Sequence, residues 1–302
     1  MKLNEFFPVL KQAAFEWLDD QAPALGAALA YYSVFSLAPL LIISIAIAGL
    51  VFGREAAQGQ IFDQLRGLLG DASGKAMQDM VQNASAKPAT SMVATLIGTV
   101  TLLFGASGVF GQLQASLNAI WGVEPKPGRG ILGIFQDRIL SFGFILAVGF
   151  LLLVSLILTA AIAFVGQWVG DIIPGIETLI QTLNAVLSLA VITLLFAMIF
   201  KFLPDARIAW HDVWIGALIT AALFTVGKFA LGLYLGKSGV ASSYGAAGSL
   251  IVLLIWVYYS AQILLFGAEF TQVYANRSGS HVAPSSNAVA VPKPATDTPA
   301  AS

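Results

Sequence analysis

Glu269 is the residue whose chemistry asks most of its surroundings. It sits in a long apolar run, and a carboxylate facing lipid there would be costly, so its face is expected to point into a helix bundle or a wet cavity. At about 100° per residue, Tyr258 and Gln262 fall on the same helical face. A carboxylate, an amide and a phenol on one face could handle a proton or a polar substrate group. They could equally bond a neighbouring helix end. Lys228 is the second candidate, about eight residues from the end of its own apolar run and so roughly 12 Å deep. It could receive an anionic group such as a lipid phosphate, or snorkel to the surface. Gln112 is the one strong polar group on a stripe of small residues, Ala94, Gly98, Thr101, Gly105, Gly108, Ala115 and Ala119, which otherwise suits close helix packing. Tyr31, Tyr32, Ser33 and Ser36 precede Pro39, where a kink could expose carbonyls.

These residues need helices in lipid to hold them. The chain has 302 residues, of which 58% are hydrophobic and 10% charged, with net charge −1. A soluble domain carries about 25% charged residues, so lipid must cover much of this surface. The near-zero net charge offers no field for nucleic acid. Cysteine is absent, so disulfides and thiolate metal sites are excluded.

A span needs about 20 apolar residues. Six runs qualify: about Ala24–Phe52, Met92–Ile120, Ile139–Val169, Leu183–Leu203, Val213–Leu235 and Gly245–Gln272. They are continuous rather than alternating, which selects helices over barrel strands. The fold class is therefore all-α: a polytopic membrane helical bundle with six transmembrane helices and amphipathic interfacial helices. Residues 1–275 form the transmembrane domain. Residues 5–18 read as an interfacial helix with Phe6, Phe7, Leu10, Phe15, Trp17 and Leu18 against Lys11 and Glu16. Met1 to Gln21 mixes charges and does not read as a cleavable leader. The loop 53–91 is expected to hold two surface helices, with Ile61, Leu65, Leu68 and Leu69, then Met77, Met80 and Val81, at helical spacing. The Ala/Ser/Pro-rich tail 276–302 reads as disordered and cytoplasmic.

Nine lysines and arginines fall on one side of the six spans (Lys2, Lys11, Lys126, Arg129, Arg138, Lys201, Arg207, Arg277, Lys293) and five on the other (Arg54, Arg66, Lys75, Lys87, Lys237). The excess places both termini in the cytoplasm.

Several segments carry a family resemblance: Ala27-Ala-Leu-Ala-Tyr-Tyr-Ser-Val-Phe-Ser-Leu-Ala-Pro-Leu40, Leu117-Asn-Ala-Ile-Trp-Gly-Val123, Phe202-Leu-Pro204 with Trp210, Asp212, Gly216 and Ala217, and Tyr244-Gly-Ala-Ala-Gly248 through Leu254-Ile-Trp-Val-Tyr258 to Leu265-Phe-Gly-Ala-Glu-Phe270. Together, over about Leu10 to Tyr274, the chain resembles the YihY/BrkB family of bacterial inner-membrane proteins. The resemblance implies six helices and an inner-membrane location. It supplies no established substrate. Some members carry an old ribonuclease label, and others are linked to serum resistance or to lipid and glycolipid export.

No catalytic set accompanies the resemblance. His211 beside Asp212 is a poor metal site, and His281 lies in the tail. There is no nucleophile motif, phosphate loop or dinucleotide fingerprint. Nuclease chemistry needs clustered carboxylates for metal ions or a paired acid and base, and the acids of the 53–91 loop are dispersed among bases. The expectation is a non-enzymatic membrane protein without cofactor or metal. Its partners would be membrane lipids and either a second copy or an envelope protein, with no nucleic acid. Its activity would be transporter or flippase-like handling of an amphipathic anionic lipid or glycolipid. The alternative is a non-transporting scaffold of an envelope complex. A membrane-embedded hydrolase ranks last.

Overall fold

A computed structural model of the chain describes residues 3–69, 108–127, 176–237 and 248–291, with isolated positions at 78, 79, 81, 82, 143, 151, 154, 158, 159 and 162. The described residues are predominantly helical. The helices are α1 (Leu3–Asp19), α2 (Ala22–Phe52), α3 (Arg54–Leu69), α4 (residues 108–120), α5 (Ile176–Phe202), α6 (Trp210–Lys237) and α7 (Gly248–Ser278). Four short strands complete the description: β1 (Val123–Pro125), β2 (Ala206–Arg207), β3 (Ala283–Pro284) and β4 (Ala288–Ala290).

Among the described residues, three helices are long and apolar enough to cross a membrane: Thr178–Phe202, Trp210–Leu235 and Leu250–Arg277. They match the fourth, fifth and sixth expected runs. The first run coincides with α2, whose 31 residues include no charged side chain. The third expected span, most of the second, and most of the second surface helix of the 53–91 loop lie outside the described residues.

α1 and α2 form a tight corner. Gln21 takes the left-handed conformation at φ 53°, and Pro23 follows in the first turn of α2. Proline there loses no bond, because the first helical N–H groups have no partner in any case. α2 ends at Gly53, whose φ of 82° suits a residue without a Cβ. α3 then folds back on α2, and Phe62 and Val81 pack against Leu41, Ile45 and Leu253.

α7 is the central helix. It packs on α2, on α6 and on α1, while α5 packs on α6. Two reciprocal clasps set the α6–α7 contact. Thr271 lies over Gly216, and Thr220 lies over Gly267. Each threonine donates its hydroxyl to the carbonyl of its own helix's glycine, Thr220 to Gly216 at 2.7 Å and Thr271 to Gly267 at 2.6 Å. The polar atoms are thus satisfied within each helix, and the threonine side chains, hydroxyl foremost, fill the glycine hollows. Close approach over small residues is the main source of helix association in lipid.

The main core joins α2, α4, α5, α6 and α7 through Leu29, Leu117, Phe196, Phe200, Val213 and Leu265. A second cluster docks Val9 and Ala13 of α1, with Phe6 and Leu10, on Phe270, Val273 and Tyr274 of α7 and on Ile215 and Ile219 of α6.

One expectation is corrected. The tail was expected to be disordered from 276, but α7 continues to Ser278, and 279–291 form an ordered strap across one end of the bundle. β3 pairs antiparallel with β2, and β4 pairs antiparallel with β1. The low-charge composition that suggested disorder is offset by backbone pairing. Two short sequences elsewhere in the chain present free strand edges, and Ala288 drops into the core between them. These ribbons also qualify the all-α expectation.

Candidate functional site

The α7 face bearing Glu269 can be placed from its neighbours. Gly267 and Thr271 face α6. Glu269 lies two residues from each, so it projects about 160° around the helix from that contact. It shares its side with Gln262, which packs over Gly26 of α2 and reaches the Ala22 carbonyl at 3.5 Å. Glu269 is fully buried, at 0% exposure. Its side chain therefore lies within the bundle, on the side of α7 turned away from α6. Gln262 is half-buried and committed to α2. Tyr258, on the same face, is 37% exposed.

Lys228 does not join this group. The Gly216–Thr271, Thr220–Gly267 and Gly227–Tyr259 approaches fix an antiparallel register in which Lys228 stands level with Tyr259. Glu269 is about ten residues further along α7, roughly 15 Å at 1.5 Å per residue. Lys228 also follows Gly227, which faces α7, and so points about 100° away from α7. It is half-buried, with Nζ 5.8 Å from the Phe229 ring centre.

Tyr31 and Tyr32 lie on α2 and Gln112 on α4, and Tyr32 stands where the two helices meet. Tyr31 and Tyr32 are exposed, and the Tyr31 ring packs on Phe35 at 4.9 Å. Tyr32 and Ser36 approach Gly108. Gln112, one turn further along α4, is half-buried beside Ser116, its Nε2 3.4 Å from the Ser116 hydroxyl. The sequence-derived candidates thus divide between one face of α7, with Tyr258, Gln262 and Glu269, and the α2 and α4 helices, with Tyr31, Tyr32 and Gln112, while Lys228 stands apart on α6.

Two polar clusters went unread in the sequence. In the first, Asp205 and Asn118 bond reciprocally: the Asn118 amide donates to Asp205 Oδ2 at 3.0 Å, and the Asp205 backbone N–H donates to Asn118 Oδ1 at 2.8 Å. Gln114 adds a longer contact to the same oxygen at 3.4 Å. This pins the end of α4 to the loop between α5 and α6. In the second, Asp212 is buried at 2% exposure and accepts from the Ser280 N–H at 3.0 Å and the Ser280 hydroxyl at 2.7 Å. His211 Nδ1 approaches the other oxygen at 3.3 Å. The Ser280 hydroxyl goes to the carboxylate and not to the imidazole. The three groups therefore fasten the strap. Both Asn118 and Asp212 stand inside the segments that carry the family resemblance, which was the available signal. Their partners lie 87 and 68 residues away. Among the described residues, no three His, Asp or Glu side chains group as metal ligands would.

Long apolar helices joined over small residues, with a buried carboxylate in one of them, define a helical membrane protein. The chain belongs to the Virulence factor BrkB family, whose model matches residues 13–291 and so includes the strap. It is 28% identical over 280 residues to a UPF0761 membrane protein of Rhodospirillum centenum, covering 89% of this chain and 58% of that protein. It is 28% identical over 271 residues to one of Pseudomonas paraeruginosa, covering 88% and 62%. A third, from Alteromonas mediterranea, is 28% identical over 274 residues, with 87% of each chain covered. The chain spans about three-fifths of the length of the first two relatives. No solved structure matches.

Proposed function

We propose that this protein is a non-enzymatic, transporter or flippase-like handler of an amphipathic anionic lipid or glycolipid. The reading places it in the bacterial inner membrane with six spans and both termini in the cytoplasm. Its partners would be membrane lipids, with no nucleic acid, cofactor or metal. The observation that carries the reading is the complete burial of Glu269 in a helix apolar enough to span a membrane. An ionisable side chain held at that cost marks a functional pathway by default. Tyr258 and Gln262 extend its face. Lys228 supplies a cation at a different depth, on a separate side of α6, and Tyr31, Tyr32 and Gln112 would line the α2–α4 flank.

The test is translocation of head-group-labelled lipids in reconstituted vesicles. Wild type, Glu269→Gln and Lys228→Ala run beside an unrelated six-helix protein. Faster movement of an anionic lipid by wild type, lost in Glu269→Gln, supports the reading. Wild-type rates in both variants remove the assigned roles, and control rates for every lipid remove the activity.

The second reading is a non-transporting scaffold, acting with a second copy or an envelope protein. The Gly–Thr clasps favour it, because a pair of helices locked this closely does not part easily. In-cell cross-linking that traps a stoichiometric partner would support it, and isolation of the protein alone under every condition would count against it.

A further inference from the structure

The exposed surface of α6 has the dimensions of a bilayer. Leu218, Val226, Phe229 and Leu233 form an exposed apolar stripe. Trp214 at 43% and Tyr234 at 58% exposure stand near its two ends. They are twenty residues apart, about 30 Å along the helix, and hydrocarbon is about 30 Å thick. Tryptophan and tyrosine concentrate at the two borders of the hydrocarbon. Trp214 therefore marks the border at the end of the bundle that the strap crosses.

Two of the lysines at that end lie over aromatic rings. Lys201, near the end of α5, donates to the Ile208 carbonyl and holds Nζ 5.4 Å from the Trp210 ring centre. Trp210 packs edge-on to Phe202 at 5.7 Å and lies 6.4 Å from Trp214, and all three rings are substantially exposed. Lys11 of α1 holds Nζ 5.9 Å from the Phe15 ring centre. One face of α1 is buried on the last turns of α7, in a cluster that Ile215 and Ile219 of α6 join, so this helix lies at the same end. A separate face carries Phe7, Phe15 and Leu18, exposed at 71%, 57% and 58%, with Lys11 among them. Gln12, Glu16 and Asp19 occupy a third face, where Gln12 donates to Glu16 at 2.9 Å. α1 thus divides its circumference among protein, apolar surroundings and water, as an interfacial helix does.

We propose that Lys11 and Lys201, each held over an exposed aromatic ring, bind the phosphates of anionic lipids in the leaflet at the strap end. The occupant is lipid, because each cation sits beside exposed aromatic rings at the hydrocarbon border that Trp214 marks. The lysine stems rest on that apolar surface and the ammonium groups reach the headgroup plane. Each lysine near an anionic surface contributes about a fivefold preference. The two sites belong to different helices, so their effects should multiply. This selection does not depend on whether the protein moves lipid.

The test is quenching of tryptophan fluorescence in vesicles by brominated phosphatidylglycerol against brominated phosphatidylcholine. Wild type should be quenched at several-fold lower mole fractions of the anionic lipid. Lys201→Gln should lose several-fold of this preference, and Lys11→Gln with Lys201→Gln most of it, with quenching by phosphatidylcholine unchanged. Unchanged phosphatidylcholine quenching shows that the variants remain folded and inserted. The preference should fall as salt rises. Equal quenching by the two lipids in wild type, or a preference that survives both substitutions, overturns the proposal. Binding alone is read here, so failure of the translocation experiment leaves this result standing.

Discussion

Thr271 of α7 occupies the space that a side chain on Gly216 of α6 would need, its Cβ 2.7 Å from where a Cβ there would stand. The same relationship recurs one turn away with the partners exchanged, since Thr220 Cβ stands 2.8 Å from the Cβ position of Gly267. The two helices are therefore joined by a pair of complementary hollows and not by one chance contact.

Gly216→Ala and Gly267→Ala should each destabilise the protein by about 1 to 3 kcal/mol, the usual range for overpacking a filled site. Adding Thr271→Gly to Gly216→Ala should recover part of that loss, because it removes the Cβ that stands 2.7 Å away. Gly26→Ala should cost less, because it meets the terminal amide of Gln262, which can swing away. Unfolding midpoints in detergent measure all four. Equal losses at Gly26 and Gly216 would mean that the clasp is not tighter than an ordinary contact.

Asp212→Ala should loosen the strap. It removes the acceptor for both the N–H and the hydroxyl of Ser280. Limited proteolysis should then cleave within 279–291 faster than in wild type. Asp212→Asn keeps an acceptor oxygen and should fall between the two. Cleavage at the wild-type rate in Asp212→Ala would show that the β pairings alone hold the strap.

Asn118 and Asp205 should be energetically coupled. Each gives and takes a bond with the other, so removing either leaves its partner short. Asn118→Ala, Asp205→Ala and the double variant form a cycle, and its coupling should reach about 0.5 to 3 kcal/mol. Additive losses would refute the reciprocal pair.

A disulfide should form between Val123→Cys and Ala290→Cys. These residues are direct partners in the β1–β4 ribbon. The flanking bonds, Val291 N–H to the Gly122 carbonyl and Lys126 N–H to the Asn287 carbonyl, mark Val123 and Ala290 as a non-hydrogen-bonded pair, in which side chains come closest. The chain has no cysteine of its own, so no competing thiol exists. Oxidation should give a species whose mobility shifts on reduction. Absence of the cross-link under oxidising conditions would place the strap elsewhere.

Much of the architecture was legible in the chain. Long apolar runs near Ala24–Phe52, Leu183–Leu203, Val213–Leu235 and Gly245–Gln272 correspond to α2, α5, α6 and α7, because backbone groups without water must bond within their own segment. The alternation of apolar and charged residues over 5–18 anticipated α1. Burial of Glu269 followed from the cost of exposing a carboxylate to lipid.

The facing of α6 was not legible. It is apolar around its whole circumference, so its sequence carries no stripe to tell Lys228's direction from that of Gly227. Only the Gly216–Thr271 and Thr220–Gly267 contacts orient it. The strap was hidden for a related reason. Short strands with little charge have no local signature, and 279–291 are ordered by edges at 123–125 and 206–207. Hydropathy is a property of neighbours in sequence. It determined which segments could enter lipid. The bonds of Asp205 to Asn118 and Asp212 to Ser280 span 87 and 68 residues. Which polar side chain satisfies which was therefore decided only when packing brought those distant segments together.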